Sequence, residues 1–159
     1  MTTSVDGWQF MKAEDAVSGK EGALYATIDG NTIQVAECKK IDVKFTKNKT
    51  EFKSLGNRAT QHKATGWTGT GSLTLHYATS IFAKMMIDYA DTGKDAYFTL
   101  QVINDDPTSG VGRQTINLYD VNLDDLDISR LDVDGGFLEQ ASNFTFSDIS
   151  MTDEFGKTE

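Results

Sequence analysis

The sequence predicts a mainly β fold: an antiparallel β-sandwich or barrel with one flanking α-helix. Three observations carry this. Two-residue apolar alternation recurs along most of the chain, turn-forming Gly, Asn and Asp residues punctuate it, and only one stretch has helical spacing with caps at both ends. At 159 residues the chain is expected to form one domain, residues 1–159. Area scaling allows about 69% of the unfolded surface to be buried, so a sizeable core needs no staples.

Taken in order, residues 1–22 are expected as an N-terminal arm. Leu24 to Asp29 alternates, and Asp29-Gly30 predicts a tight hairpin turn. Ile33–Thr46 reads as one long strand with Ile33, Val35, Ile41, Val43 and Phe45 as its apolar positions. Its parity slips near Cys38-Lys39-Lys40 only if the strand bulges or bends there. Residues 47–65 have few large apolar side chains and are expected as a long loop, which in a compact domain is usually functional or disordered. Gly66–Tyr77 reads as a strand, with Trp67, Leu73, Leu75 and Tyr77 on one face and small polar residues on the other.

The helix is expected over 79–92. Thr79 or Ser80 is the N-cap, Gly93 the C′ residue, and Ile81, Phe82, Met85, Met86 and Tyr89 the apolar stripe. Ala96–Asn104 alternates. Asn104-Asp105-Asp106-Pro107-Thr108-Ser109-Gly110 is a turn holding the only proline. Arg113–Val133 reads as a long strand, Gly135-Gly136 as a turn, and Phe144, Phe146 and Ile149 as the last strand. The tally is about seven strands and one helix.

The chemistry-bearing residues do not form a catalytic set. His62 and His76 are fourteen residues apart, no metal spacing. Cys38 is the only cysteine, which excludes an intramolecular disulfide; Lys39 and Lys40 beside it are expected to lower its pKa. Asp132-Val133-Asp134-Gly135 lacks the acid at Arg130 and the bidentate glutamate at Ala141 that a calcium loop needs. Gly69-Thr70-Gly71 has Thr74 where a dinucleotide fingerprint needs its third glycine. Asn48-Lys49-Thr50 and Asn143-Phe144-Thr145 match the glycosylation pattern, which matters only in a secretory compartment. No catalytic, cofactor-binding or metal residue is assigned, and an enzyme is not expected. Neither a charged-then-apolar leader nor a run of about 18 apolar residues is present, so neither a secretory signal nor a membrane span is expected.

The charge is unevenly spread. The net is −9, yet residues 39–63 carry eight basic and two acidic side chains, a local +6. Residues 88–159 carry sixteen acids and four bases, a local −12. So acidic a chain is a poor nucleic-acid binder. The two regions are either solvated surfaces or complementary contacts between copies. Asp120, Asp124, Asp125, Asp127, Asp132 and Asp134 admit three readings: paired carboxylates, a solvated face that discourages edge pairing, or a surface that repels a polyanion.

Several stretches, in order, resemble one family. They are Gly7-Trp8-Gln9-Phe10-Met11-Lys12 with Ser18-Gly19-Lys20-Glu21-Gly22; Lys44–Lys53, Gly56 and Lys63–Gly71; Asn104–Ser109 with Gly112-Arg113-Gln114-Thr115; and Leu131–Asp134 with Phe144-Thr145-Phe146. Together they are similar to the tail tube proteins of contractile phage tails, of the XkdM type found in phage-like elements and contractile bacteriocins. The resemblance implies a homo-hexameric ring that stacks into a hollow tube inside a sheath, with baseplate and tail terminator proteins at its ends. Strands of six subunits would line a channel through which DNA passes in a phage without specific binding. The long loop would reach the adjacent ring. On this basis Lys47, Lys49, Lys53, Arg58 and Lys63 are the expected inter-ring contacts, and Asp120, Asp124, Asp125, Asp127, Asp132 and Asp134 the acidic lumen or receiving face. Assembly is expected in the bacterial cytoplasm, as part of a phage tail or bacteriocin particle. The rivals are a secretion-system tube of the haemolysin-coregulated type, and a carbohydrate-binding β-sandwich using Trp8 or Trp67 as a platform.

Overall fold

A computed structural model describes residues 2–5, 8–11, 13–16, 18–35, 38–76 and 80–156, with 2–5, 8–11 and 15 described by backbone alone. Gly7, Lys12, Tyr77, Thr79 and the Trp8 side chain lie outside that description. The fold is mainly antiparallel β with one α-helix among the described residues. In chain order the strands are β1 (Thr2–Val5), β2 (Trp8–Met11), β3 (Gly22–Ile28), β4 (Asn31–Gln34), β5 (Cys38–Phe52), β6 (Gln61–His76), β7 (Phe98–Asp105), β8 (Arg113–Leu123), β9 (Glu139–Phe146) and β10 (Asp148–Asp153); α1 (Ile81–Thr92) precedes β7. The chain forms two compact units.

The first unit is drawn from Met1–Ala36, Tyr97–Asp120 and Asp148–Glu159. β1 and β2 form a two-stranded hairpin. β4, β3, β7 and β8 follow one another across a sheet, and β10 also pairs with β8. Leu24 and Ala26 of β3 are buried, as their alternation predicts. Asp29 and Gly30 both have positive φ, 52° and 80°, the signature of a type I′ turn that matches strand twist. On β7 the buried residues are Phe98, Leu100 and Ile103, so strict alternation fails between Leu100 and Ile103. On β8 the buried Thr115 hydroxyl donates to Asp153 Oδ2 at 2.9 Å, and the buried Asn117 amide donates to Ser150 Oγ at 3.3 Å. These bonds offset the cost of burying polar groups.

The proline-containing turn has a specific lock. Asp106 is buried and its carboxylate accepts hydrogen bonds from the Ser18 N–H (2.9 Å), the Thr108 N–H (2.9 Å) and the Thr108 hydroxyl (2.6 Å). The N–H of Gly110 donates to the Glu14 carbonyl at 2.8 Å, so the turn is tied to the N-terminal segment at two points. These donors, Thr108 first and then Ser18, hold the Asp106 pKa below the ordinary carboxylate range. The sign follows. A depressed folded pKa stabilises the fold above the unfolded value, about 3.9, and that stabilisation is lost as pH falls through the folded value. The expected result is that Asp106→Asn lowers the urea midpoint most above pH 5, with the gap to the parent chain closing toward pH 2.

The second unit is drawn from Glu37–Ala96 and Val121–Ser147. Here β5 pairs with β6, β6 with β9, and β9 with Asn122 and Leu123 at the end of β8. Three sequence expectations change. Ile33–Thr46 is not one strand: β4 pairs with β3 in the first unit and β5 with β6 in the second. A register irregularity lies between Cys38 and Lys40, where the sequence left room for a bulge. The region 47–65 is not a loop: β5 continues to Phe52 and β6 starts at Gln61. Residues 42–68 are exposed, so a strand pair there needs no apolar alternation, and its absence misleads. Arg113–Val133 is a strand only as far as Leu123; the aspartate-rich stretch beyond it is poor strand material. Likewise Phe144, Phe146 and Ile149 lie on two strands, β9 and β10.

The core face of this unit explains the rejected glycine motif. Gly69 and Gly71 lie directly opposite Phe146 and Phe144. A Cβ on Gly71 would sit 2.7 Å from the Asp42 carbonyl oxygen and collide with the Phe144 ring; one on Gly69 would collide with the Phe146 ring. The glycines make room for two buried phenylalanines to lie across the strand. Leu73 and Leu75 continue the buried face. Helix α1 ends where expected: Gly93 has φ 75° and donates its N–H to the Tyr89 carbonyl at 2.8 Å. Its predicted stripe buries Phe82 fully and Met85 and Met86 in part, while Ile81 and Tyr89 are exposed.

Candidate assembly surfaces

The first surface is the β5–β6 hairpin. Between the pairs Phe45↔Gly69 and Phe52↔Gln61 it advances seven residues along β5, or about 23 Å at strand spacing. A two-stranded ribbon exposed on both faces is marginal alone. Its base is clamped by aromatics: Phe45 stacks on Trp67 with centroids 4.7 Å apart, and Trp67 lies 6.0 Å from Phe146. Side-chain bonds add to the clamp, from Asn48 Nδ2 to Thr68 Oγ1 (3.3 Å) and from Thr65 Oγ1 to the Asn48 carbonyl (3.2 Å). At the turn, Gly56 has φ 82°, and the Asn57 side chain accepts the Ala59 N–H at 3.0 Å.

Lys47, Lys49 and Lys63 lie along the hairpin strands, and Lys53 and Arg58 in its turn. All five are exposed, and among the described residues none is in an ion pair. With Glu51 as the only acid, the 47–63 segment has a net charge of +4 (five bases minus one acid). The exposed apolar residues Phe52 and Leu55 sit among these cations.

The second surface is the segment after β8. Its acids divide into two kinds. Asp125 and Asp127 fasten the segment to β9. The Asp125 carboxylate accepts the Asn143 N–H at 2.8 Å and its side-chain amide at 3.0 Å, which hold the Asp125 pKa down. Asp127 Oδ2 accepts the Ala141 N–H at 3.3 Å and faces Arg130 Nη1 at 3.7 Å. The buried side chains of Gln140 and Ser142 donate to the Asp127 and Asp125 carbonyls at 2.8 and 2.6 Å. The segment thereby extends the pairing of β8 along β9, with the Asp124 N–H donating to the Asn143 carbonyl at 2.7 Å.

Asp124, Asp132 and Asp134 are exposed. Asp132 Oδ1 accepts the Asp134 N–H at 3.1 Å, shaping a short turn. Asp120 lies on β8, with φ 54°, a left-handed backbone that aspartate tolerates; Leu118 and Val121, three positions apart, are both buried around it. The structure thus brings Asp124, Asp125 and Asp127 together along β9. What the sequence reading missed is the fastening role of Asp125 and Asp127. The alternation of Gln140 and Ser142 with Ala141 and Asn143 was the available signal.

Two further residues differ from expectation or gain a partner. Burial pushes the Cys38 thiol pKa up, so the neighbouring lysines do not activate it. Lys39 pairs with Glu139, joining the start of β5 to the start of β9, and holds the Glu139 pKa down. His62 and His76 are exposed on β6.

Residues 9–153 match the sequence family described as "Phage tail tube protein". The chain is 43% identical over 148 residues to the phage-like element PBSX protein XkdM of Bacillus subtilis (strain 168), spanning 93% of this chain and 98% of that one. Among solved structures, a chain of the anti-feeding prophage baseplate, 6-fold symmetrised, aligns with a TM-score of 0.66 at 13% identity, covering 86% of this chain and 94% of that one. A chain of the sheath–tube complex of the extracellular contractile injection system PVC, in its extended state, aligns with a TM-score of 0.62 at 9% identity, covering 88% and 93%. These two likenesses speak for the fold, while the sequence match and the XkdM identity speak for kinship. An exposed basic hairpin, a mainly antiparallel β fold with one α-helix among the described residues, and a match over nearly the whole length converge: the chain belongs to the phage tail tube protein family, a structural family and not an enzyme family.

Proposed function

We propose that this tube protein assembles as hexameric rings stacked around a channel, the inner tube of a contractile tail or contractile bacteriocin. The observation that carries this is the β5–β6 hairpin: beyond the aromatic clamp at its base, residues 47–66 form a cationic ribbon exposed on both faces, and such a two-stranded ribbon is marginal alone. A neighbouring ring supplies that packing. Lys47, Lys49, Lys53, Arg58 and Lys63 make the inter-ring contacts.

The face of the second unit opposite its core carries Thr46 of β5, Thr68, Thr70, Ser72 and Thr74 of β6, and Asn143 and Thr145 of β9, which the register places side by side. We assign this face to the channel: its β6 and β9 side chains offer hydrogen bonds, and Lys40, Asp42 and Lys44 of β5, opposite Thr74, Ser72 and Thr70, add charge along its β5 margin. DNA passes it without specific binding in a phage. Sheath, baseplate and terminator proteins are the further partners, and assembly takes place in the bacterial cytoplasm. The test is negative-stain electron microscopy of the purified protein. Hollow rings or tubes with six-fold class averages are the expected result; a strict monomer at high concentration contradicts it.

A further inference from the structure

Beyond β8, the segment of the second unit carries three apolar side chains that are almost wholly exposed: Leu131 at 97%, Val133 at 98% and Phe137 at 95%. Scattered single apolar residues on a surface are ordinary, but three almost fully exposed ones fall within seven positions of one stretch. Acids interleave them. Residues 124–137 hold Asp124, Asp125, Asp127, Asp132 and Asp134 against Arg130, a net of −4 (one base minus five acids). The root of the segment is fixed to β9 by the Asp125 and Asp127 bonds, so the stretch is presented from an anchored base.

The same unit carries the reciprocal surface. The hairpin turn sets Leu55, fully exposed, and Phe52 among five cations and one acid, a net of +4. Each surface combines apolar side chains with one sign of charge, and the signs are opposite. Two different surfaces on one chain that fit each other pair head to tail, and such pairing propagates instead of closing as a dimer. Opposite charge steers the encounter, and the apolar groups supply the buried centre.

We infer that the hairpin turn around Phe52 and Leu55 of one copy docks on the Leu131–Val133–Phe137 stretch of a second copy. This rests on the tube reading above and names the receiving surface for the inter-ring hairpin. Contact of this composition keeps an apolar component when salt screens the charges.

The test uses the full chain with Cys38→Ser, Leu55→Cys and Val133→Cys, assembled and then mildly oxidised. A ladder of reducible covalent multimers on a non-reducing gel is expected, with no ladder from either single-cysteine chain. Tubes that form without a ladder overturn the docking and leave the tube reading intact. A disulfide confined to the monomer, or dimers from a single-cysteine chain, also overturn it. Absence of tubes from the unsubstituted chain overturns the tube reading and the docking together. Leu131→Lys with Val133→Lys tests the same contact without disulfide geometry. Sedimentable tube should fall roughly tenfold or more, as when a central interface contact is lost, with an unchanged thermal melt. Unchanged sedimentation overturns the docking.

Discussion

Replacing Phe144 with alanine is expected to destabilise the protein by about 3–5 kcal/mol, the range for truncating a buried aromatic side chain. Phe144 is 1% exposed and lies across Gly71, a cross-strand partner with no side chain to fill the space it would leave. The complementary change is Gly71→Ala, expected to cost about 1–3 kcal/mol by overpacking, because its Cβ meets both the Phe144 ring and the Asp42 carbonyl. Gly69 offers a sharper version, since the three atoms nearest to its added Cβ all belong to the Phe146 ring. Gly69→Ala combined with Phe146→Ala should therefore destabilise by less than the sum of the two. Urea denaturation followed by circular dichroism measures all of these. If Gly71→Ala were as stable as Gly66→Ala, whose Cβ meets nothing within 4 Å, the packing account of the glycines would be wrong.

Charge reversal of the hairpin is expected to abolish tube growth at physiological salt. Lys47→Glu, Lys49→Glu and Lys53→Glu together change the net charge of residues 47–63 from +4 to −2, a shift of two per substitution. All three side chains are exposed and make no ion pair among the described residues, so the subunit's own thermal melt should move little. A hairpin now matching the sign of the acidic segment is repelled by it. Because the screening length is about 8 Å at physiological ionic strength, added salt should partly restore growth of the reversed chain. Sedimentation of assembled protein across a salt series reads both effects.

Much of the fold was legible because it is written in local periodicity. The Asp29-Gly30 turn, the Gly93 helix stop and the buried Leu24–Ala26 face follow from backbone and burial rules that act within a few residues. The hairpin was misread for a physical reason. Alternation reports a strand with one buried face, and Lys47–Phe52 and Gln61–Trp67 bury neither. β-branched threonines were the remaining signal there. The division of Ile33–Thr46 between two units was illegible, because its two halves have compatible parity and different partners.

The candidate site was legible as charge and not as geometry. The basic run and the acidic run were both visible, but the sequence could not show that Asp125 and Asp127 among the acids accept hydrogen bonds from β9. Nor could it show that Gly69 and Gly71 serve two phenylalanines more than seventy positions away. Pairing across such separations is set by register, and register emerges only with the fold.

A helical reconstruction of tubes assembled from the unsubstituted chain tests the central claim most directly. The account predicts that the β5–β6 hairpin of each subunit crosses the boundary to the adjacent ring, with the Phe52–Leu55 turn against the Leu131–Phe137 stretch of a subunit there. Hairpins that fold back within their own ring, leaving ring-to-ring contact to other elements, would contradict it.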